Sequence, residues 1–267
     1  DVAIVNAPTD KSSAAIKHAI TAILVETGEW HGEIENIRKD GTRFWCYAHV
    51  SLFDHPEYGK VLVSVHTDIT ERKQAEALQS AVYHIAQASD LAKSLNDLFP
   101  QIQRIVSKVM PAENFYIALY DQARNRLSFP YSIDQVDKTY EGEEIEPGKG
   151  LTAYVLRTGK SLLCTESIKE DLVLQGEVER IGVPSSIWLG VPLIVRSKVI
   201  GVMVVQHYSN PHAYGEQEQH VLEFVSSQVA IAIERKQAED ALSLQKGMLD
   251  TIMESISQSI FVKDLDG

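Results

Sequence analysis

The sequence predicts an α+β protein: a central antiparallel sheet with flanking helices, preceded by a smaller antiparallel half-domain, the two joined by long coiled-coil-like helices. Three observations carry that expectation. The apolar spacing switches from helical to alternating near Gly28 and back to helical near Thr70. Two apolar runs, SIWLGVPLIV and VIGVMVVQHY, meet at Arg196-Ser197-Lys198 and read as a hairpin. The hexapeptide ERKQAE occurs twice, at Glu71–Glu76 and Glu234–Glu239, both times within helix-like spacing.

From Lys11 to about Thr27, Ile16, Ile20, Ile23 and Leu24 fall on one helical face, and Gly28 stands where a helix C′ glycine belongs. Around FWCYAHVSL the residues Phe44, Cys46, Ala48, Val50 and Leu52 alternate, the mark of a half-buried strand. Lys39-Asp40-Gly41 before it reads as a tight turn, with Gly41 free to take positive φ. DHPEYGK is a second turn and VLVSVHTDI a third strand. Asp68 and Glu71 form a D-x-x-E capping box, so a helix is expected through the first ERKQAE. Leu78, Val82 and Ile85 continue it as a two-helix seam. A second seam follows at Leu91, Leu95, Leu98, Ile102, Ile105 and Val109, with Pro100 demanding a break or a fresh start near Ser94.

Beyond Asn114 the strands NFYIALYD and RLSFPYSI flank a turn at QARN. An acidic loop spans Tyr140 to Gly150, and LTAYVLRTGK is a short helix closed by Gly159. After the hairpin and the loop SNPHAYG, a long helix meets no breaker until Gly247 and continues through Leu242, Leu249, Ile252 and Ile256. Unbroken, it would be ~60 Å long. So long an apolar stripe calls for a partner, which predicts a parallel homodimer through Leu78, Val82, Ile85, Leu242, Leu249, Ile252 and Ile256.

Of the 267 residues 44% are hydrophobic and 23% charged, an ordinary globular balance. The net charge of −12 argues against a nucleic-acid surface. No apolar run approaches the ~20 residues of a membrane span, so no membrane contact is expected of this segment. Two cysteines give neither a disulfide framework nor a CxxC metal spacing, and the cytosol is the default compartment. The chain opens on DVAIVNAPTD without a Met and stops at FVKDLDG, so an internal piece of a longer protein is expected.

The stretch ETGEWHGEIENIRKDGTRFW…VSVHTDITERKQAE resembles the C-terminal half of a PAS domain through its KDG turn, aromatic-rich strand and closing DIT. MPAENFYIALYD, LSFPYSID, GKGLTAYVLRTGKSLL, WLGVPLIV, VIGVMVVQHY and FVSSQVAIAIER, in that order from about Ser80 to Arg235, resemble a bacterial GAF domain. The tail MLDTIMESISQSIFVKDLDG is similar to the opening of another PAS domain. The expected organisation is a PAS part at 1–70, a helical linker at 71–93, a GAF domain at 94–233, a second linker at 234–254 and a new PAS start at 255–267. Such arrays are, by resemblance, input regions of sensor histidine kinases or, less favoured here, of diguanylate cyclases. The segment itself carries no kinase phosphoacceptor motif or ATP box and is not expected to be an enzyme. ERKQAE would keep successive domains in helical phase, although such linkers also converge on good helix formers.

For the GAF domain the resemblance implies a small-ligand pocket between sheet and helices. Tyr116, Phe129, Tyr154, Leu163, Cys164, Trp188 and Gln206 are its candidate wall, and each also fits plain core. The ligand is unknown, and the sequence requires no cofactor. Cys164 lacks the neighbouring His of a bilin thiol and reads better as a small buried residue. His207, a conceivable haem ligand, reads better as a structural contact. No second ligand stands at metal spacing. YEGEEIE lacks the first glycine and the aromatic end of a GGEEF loop and reads as solvated, and Gly148-Lys149-Gly150 is too short for a phosphate cradle. The Asn-Lys…Phe-Asp-Glu pattern of cyclic-nucleotide pockets is missing. The alternative is a ligand-free dimerisation spacer.

Overall fold

The computed structural model describes residues 13–39, 42–136 and 144–255, and the chain divides into two compact units between Ala77 and Leu78. The first holds α1 (Ser13–Thr27), the antiparallel strands β1 (Glu29–Ile37), β2 (Arg43–His55) and β3 (Gly59–Asp68) in that order, and the start of α2 (Thr70–Leu91). Gly28, at φ 82°, ends α1 with its N–H on the Leu24 carbonyl at 3.0 Å. Leu24 is buried and Ile20 half-buried, but Ile23 is exposed, so the apolar face is narrower than the spacing suggested. The Ile16 side chain, Asp40 and Gly41 lie outside the described residues. Cys46 and Ala48 are fully buried while Trp45 and Tyr47, which precede them in turn, are exposed, the alternation expected of β2.

The helix start differs from the expected capping box. The first helical bond runs from the Lys73 N–H to the Ile69 carbonyl, which makes Ile69 the cap and leaves Asp68 one residue too early. Asp68 instead accepts from the Thr70 N–H at 2.9 Å and the Thr70 hydroxyl at 2.6 Å, an Asx turn.

In the second unit α2 continues and is followed by α3 (Leu95–Val106), β4 (Phe115–Asp121), β5 (Arg126–Ile133), β6 (Glu144–Ile145), α4 (Leu151–Thr158), β7 (Leu162–Thr165), α5 (Glu166–Leu174), β8 (Ile187–Val195), β9 (Lys198–His207) and α6 (Glu216–Ser255). The strands form one antiparallel sheet in the order β6-β5-β4-β9-β8-β7. Helices α2, α3 and α6 cover one face around Phe115, Leu189 and Met203, and α4 packs on the other around Trp188, Val202 and Val204. Ser94 caps α3 through the Asp97 N–H at 3.3 Å, the fresh start expected there, and Pro100 sits inside the helix. The β8–β9 loop has only two residues, Arg196 and Ser197, both at positive φ (47° and 67°), as in a type I′ turn. Lys198 already pairs with Val195.

Two expected seams turn out to be core. Leu98, Ile102 and Ile105 of α3 and Ile85 of α2 are buried in the cluster beneath the sheet, and Leu78 packs at its edge. Val82 is half-buried and Leu91 is 72% exposed. The cause is the three-helix layer: the stripe that could meet a partner is already used against the domain's own sheet. Helix α6 behaves differently along its 40 residues, about 60 Å. Leu222, Val225, Val229 and Ile233 are buried, whereas Leu242, Leu249 and Ile252 are 43–67% exposed. The helix runs through Gly247, around which there is open space. Ile256 lies outside the described residues.

Candidate ligand cavity

A cavity of about 370 Å³ opens on the α4 side of the second unit's sheet. Its floor is made by side chains from four adjacent strands: Phe129 of β5, Tyr116 of β4, Gln206 of β9 and Trp188 of β8. Alternation puts Tyr116, Trp188 and Gln206 on this face, while Phe115, Ile187 and Val205 face the helical layer. Trp188 lies across Gly190, where a Cβ would come within 2.1 Å of the ring, so the indole needs the glycine two residues on. The indole N–H donates to the Tyr116 hydroxyl at 3.2 Å, and that hydroxyl shares a bond with Thr152 at 2.8 Å. The rim adds Leu151, Thr152 and Ala153 from the start of α4, whose cap Gly150 offers no side-chain oxygen to the first N–H groups.

One end of the floor is polar. Gln206 Nε2 donates to Asp134 at 2.6 Å and to the Tyr208 hydroxyl at 3.0 Å, and that hydroxyl donates to Asp134 at 2.8 Å. Buried Asn114 ties this end together, donating to the Gln206 carbonyl at 3.3 Å and accepting from the Gln135 N–H at 3.0 Å. Three further charged groups line the cavity. Glu146 lies 3.8 Å from Arg126 and Glu179 lies 4.0 Å from Lys149, while Lys169 of α5 has no carboxylate within ion-pair distance among the described residues.

Of the seven residues expected in the wall, Tyr116, Phe129, Trp188 and Gln206 are brought together here, and Tyr154, Leu163 and Cys164 are not. Leu163 and Cys164 are neighbours on β7 and point to opposite faces; Leu163 packs on the helical layer. Cys164 is directly opposite Trp188 but sits in the core with Val155 and Val204. Burial raises its thiol pKa to about 11, Lys169 opposing and Glu166 assisting. Tyr154 turns away beneath Arg157, whose guanidinium is 5.4 Å from its ring. His207 is engaged in a turn, its Nδ1 accepting from the Ser209 and Asn210 N–H groups at 3.2 and 3.0 Å. Gly148-Lys149-Gly150 is the loop leading into α4, and of YEGEEIE, Glu144 and Ile145 form β6 while Tyr140–Glu143 lie outside the described residues. Among the described residues no group of three or more His, Cys, Asp or Glu could hold a metal ion, and no helix is long and apolar enough to cross a membrane.

Residues 92–234 match the GAF domain family, which is more than half of the chain. The chain belongs to the GAF domain family. Residues 4–71 match the PAS domain family, and GAF and PAS domains together make this a sensory input region of a signalling protein. The GAF domain of an Acinetobacter phosphoenolpyruvate-protein phosphotransferase is 22% identical, with a TM-score of 0.51 over 63% of this chain and 98% of that one. The GAF domain of the Coxiella burnetii phosphoenolpyruvate-protein phosphotransferase gives 17% and 0.51, over 62% and 98%. Both likenesses show the GAF fold. A methyl sulfide methyltransferase-associated sensor from Methanosarcina acetivorans is 22% identical over 208 residues, 75% of this chain. The chain spans about a fifth of that relative's length.

The sequence reading missed several residues of the GAF cavity: Asp134, Thr152, Lys169 and the Glu179–Val183 stretch. The signal for α5 was present in Thr165-Glu166, an N-cap with an acidic first turn; the Thr165 hydroxyl accepts from the Ile168 N–H at 3.4 Å.

Proposed function

We propose that this chain senses a small molecule in the GAF cavity and relays its binding through paired helices to a C-terminal output domain, a histidine kinase in preference to a diguanylate cyclase. The observation that carries the ligand-sensing reading is the cavity itself, about 370 Å³, floored by three aromatic rings and closed at one end by a polar cluster. Its volume and its mixture of apolar wall and few fixed polar groups are those of small-ligand sites. The relay reading is supported by α6, which is packed along its first half and leaves an apolar stripe exposed beyond it. A second copy, parallel to the first, is the partner we assign to that stripe. The sequence organisation adopted is 1–70, 71–93, 94–233, 234–254 and 255–267 for PAS part, linker, GAF domain, linker and PAS start. We place the segment in the cytoplasm, as an input device without an activity of its own.

A thermal-shift screen of metabolites against the purified chain tests ligand sensing. A compound that binds the folded state raises the melting temperature by mass action, by ~2.7 kcal/mol of stability at a hundredfold excess over Kd. A blank screen, with no visible absorbance band in the purified protein, would leave the dimerisation spacer as the better reading.

A further inference from the structure

We propose that the GAF cavity takes an uncharged aromatic molecule whose ring system carries an N–H or O–H, donated to the side-chain oxygen of Gln206. This rests on the ligand-sensing reading above. Gln206 lines the cavity and is only 8% exposed. Its amide has one permitted orientation. A carboxylate accepts and does not donate, so Asp134, 2.6 Å away, requires Nε2 and excludes Oε1. The other hydrogen of Nε2 goes to the Tyr208 hydroxyl at 3.0 Å. Both donors are therefore used, while among the described residues no donor reaches Oε1. That oxygen is the polar atom Gln206 has left for the space it lines. An acceptor withdrawn from water without a partner is costly, and a donor brought by a ligand removes the cost.

The rest of the wall sets the body of the ligand. Trp188, Tyr116 and Phe129 come from three strands, the last two with ring centroids 5.9 Å apart, and Leu127 and Ile145 extend the apolar surface. The polar atoms of these rings are engaged locally: the Trp188 N–H donates to the Tyr116 hydroxyl, which shares a bond with Thr152. Flat apolar surface beside one open acceptor suits a two-ring aromatic with a donor on its edge, and about 370 Å³ has room for it. Charge points the same way. Asp134, Glu146 and Glu179 line the cavity with Lys169, which disfavours an anion. Glu146 and Glu179 already have Arg126 and Lys149 beside them, and Asp134 holds the Gln206 amide and the Tyr208 hydroxyl, so the wall does not select a cation.

The test is calorimetric titration of the whole chain with indole and with benzofuran, which has the same shape but an oxygen in place of the N–H. Indole should bind at least tenfold more tightly than benzofuran, and more tightly than its charged relatives tryptamine and indole-3-acetate. In Gln206→Met, which keeps the length and removes the acceptor, indole and benzofuran should bind within about twofold of each other. That variant also takes a donor from Asp134 and Tyr208, so a crystal structure of the parent chain with indole provides a reading independent of its folding. The indole nitrogen should lie within ~3.2 Å of Gln206 Oε1. Benzofuran binding as well as indole, an indole preference that survives Gln206→Met, or an indole nitrogen turned elsewhere would each overturn the assignment. Either charged relative binding tenfold more tightly than indole, or all four probes silent at millimolar concentration, would overturn it too. Ligand sensing itself falls only if the wider metabolite screen is also blank.

Discussion

Two glycines of the GAF sheet do different jobs. At Gly201 a Cβ would stand 2.3 Å from the Ala118 carbonyl oxygen on the neighbouring strand, where only backbone can yield. At Gly190 it would meet the far edge of the Trp188 ring, which can move if its neighbours allow. Gly201→Ala should therefore destabilise by about 3 kcal/mol in urea titrations, and Gly190→Ala by about 1 kcal/mol with a shifted Trp fluorescence. The buried Cys164 thiol gives a pH prediction. Its folded pKa, raised to about 11 from 9.0, is above the unfolded value, so the native state holds its proton longer. The contribution is intact below about pH 9 and is lost as pH rises through about 11. In Cys164→Ala the alkaline decline in stability should be shallower, as read from denaturation midpoints across that range. Residue identity was readable where alternation sets the facing: Tyr116 and Trp188 on long strands were placed in the wall. It failed at Leu163, because adjacent strand residues cannot share a face, and at Cys164, which lies on the Trp188 face but is packed with Val155 and Val204. It failed at Tyr154 too, because a helix of eight residues gives too little pattern to orient it.

At the level of elements, the distinction that matters is between helices satisfied by their own domain and the one that is not. The apolar spacings of α2, α3 and α6 look alike in the sequence, yet Ile85, Ile102 and Ile233 are core while Leu242, Leu249 and Ile252 are exposed. Periodicity reports that a stripe exists and is silent about what covers it. Leu249→Asp with Ile252→Asp should therefore reduce the solution mass, by light scattering at micromolar concentration, from twice the chain mass towards that of the single chain, with the melting temperature little changed. Ile85→Asp should instead unfold the domain, since it buries a charge without a partner. Retention of the dimer mass in the α6 double variant would count against pairing through that helix. The β8–β9 hairpin and the type of each long element were legible because alternation and turn residues are local, whereas the pairing of β4 with β9 is not local and was not read. β6, β7 and α5 were not, being two, four and nine residues long.

At the scale of the molecule, the repeated hexapeptide behaves alike in both places. Arg72 and Arg235 each reach Glu four residues on, at 2.7 and 3.0 Å, and Lys73 and Lys236 each approach the same Glu. Each copy also engages a carboxylate from a preceding element of its own unit: Glu33 of β1 for the first, Asp90 of α2 for the second. The two arginines are about half exposed, so their pairs fix geometry more than they add stability. The sequence showed the repeat; only the folded chain shows that each copy fastens a departing helix to the unit it leaves. Past the second fastening stands Gly247, a residue with no neighbour to justify it and with the loosest backbone preferences of any amino acid. Glycine is about 1 kcal/mol less favourable than alanine inside a helix, so Gly247→Ala, which would meet nothing, should raise the helicity and stability of the exposed half of α6.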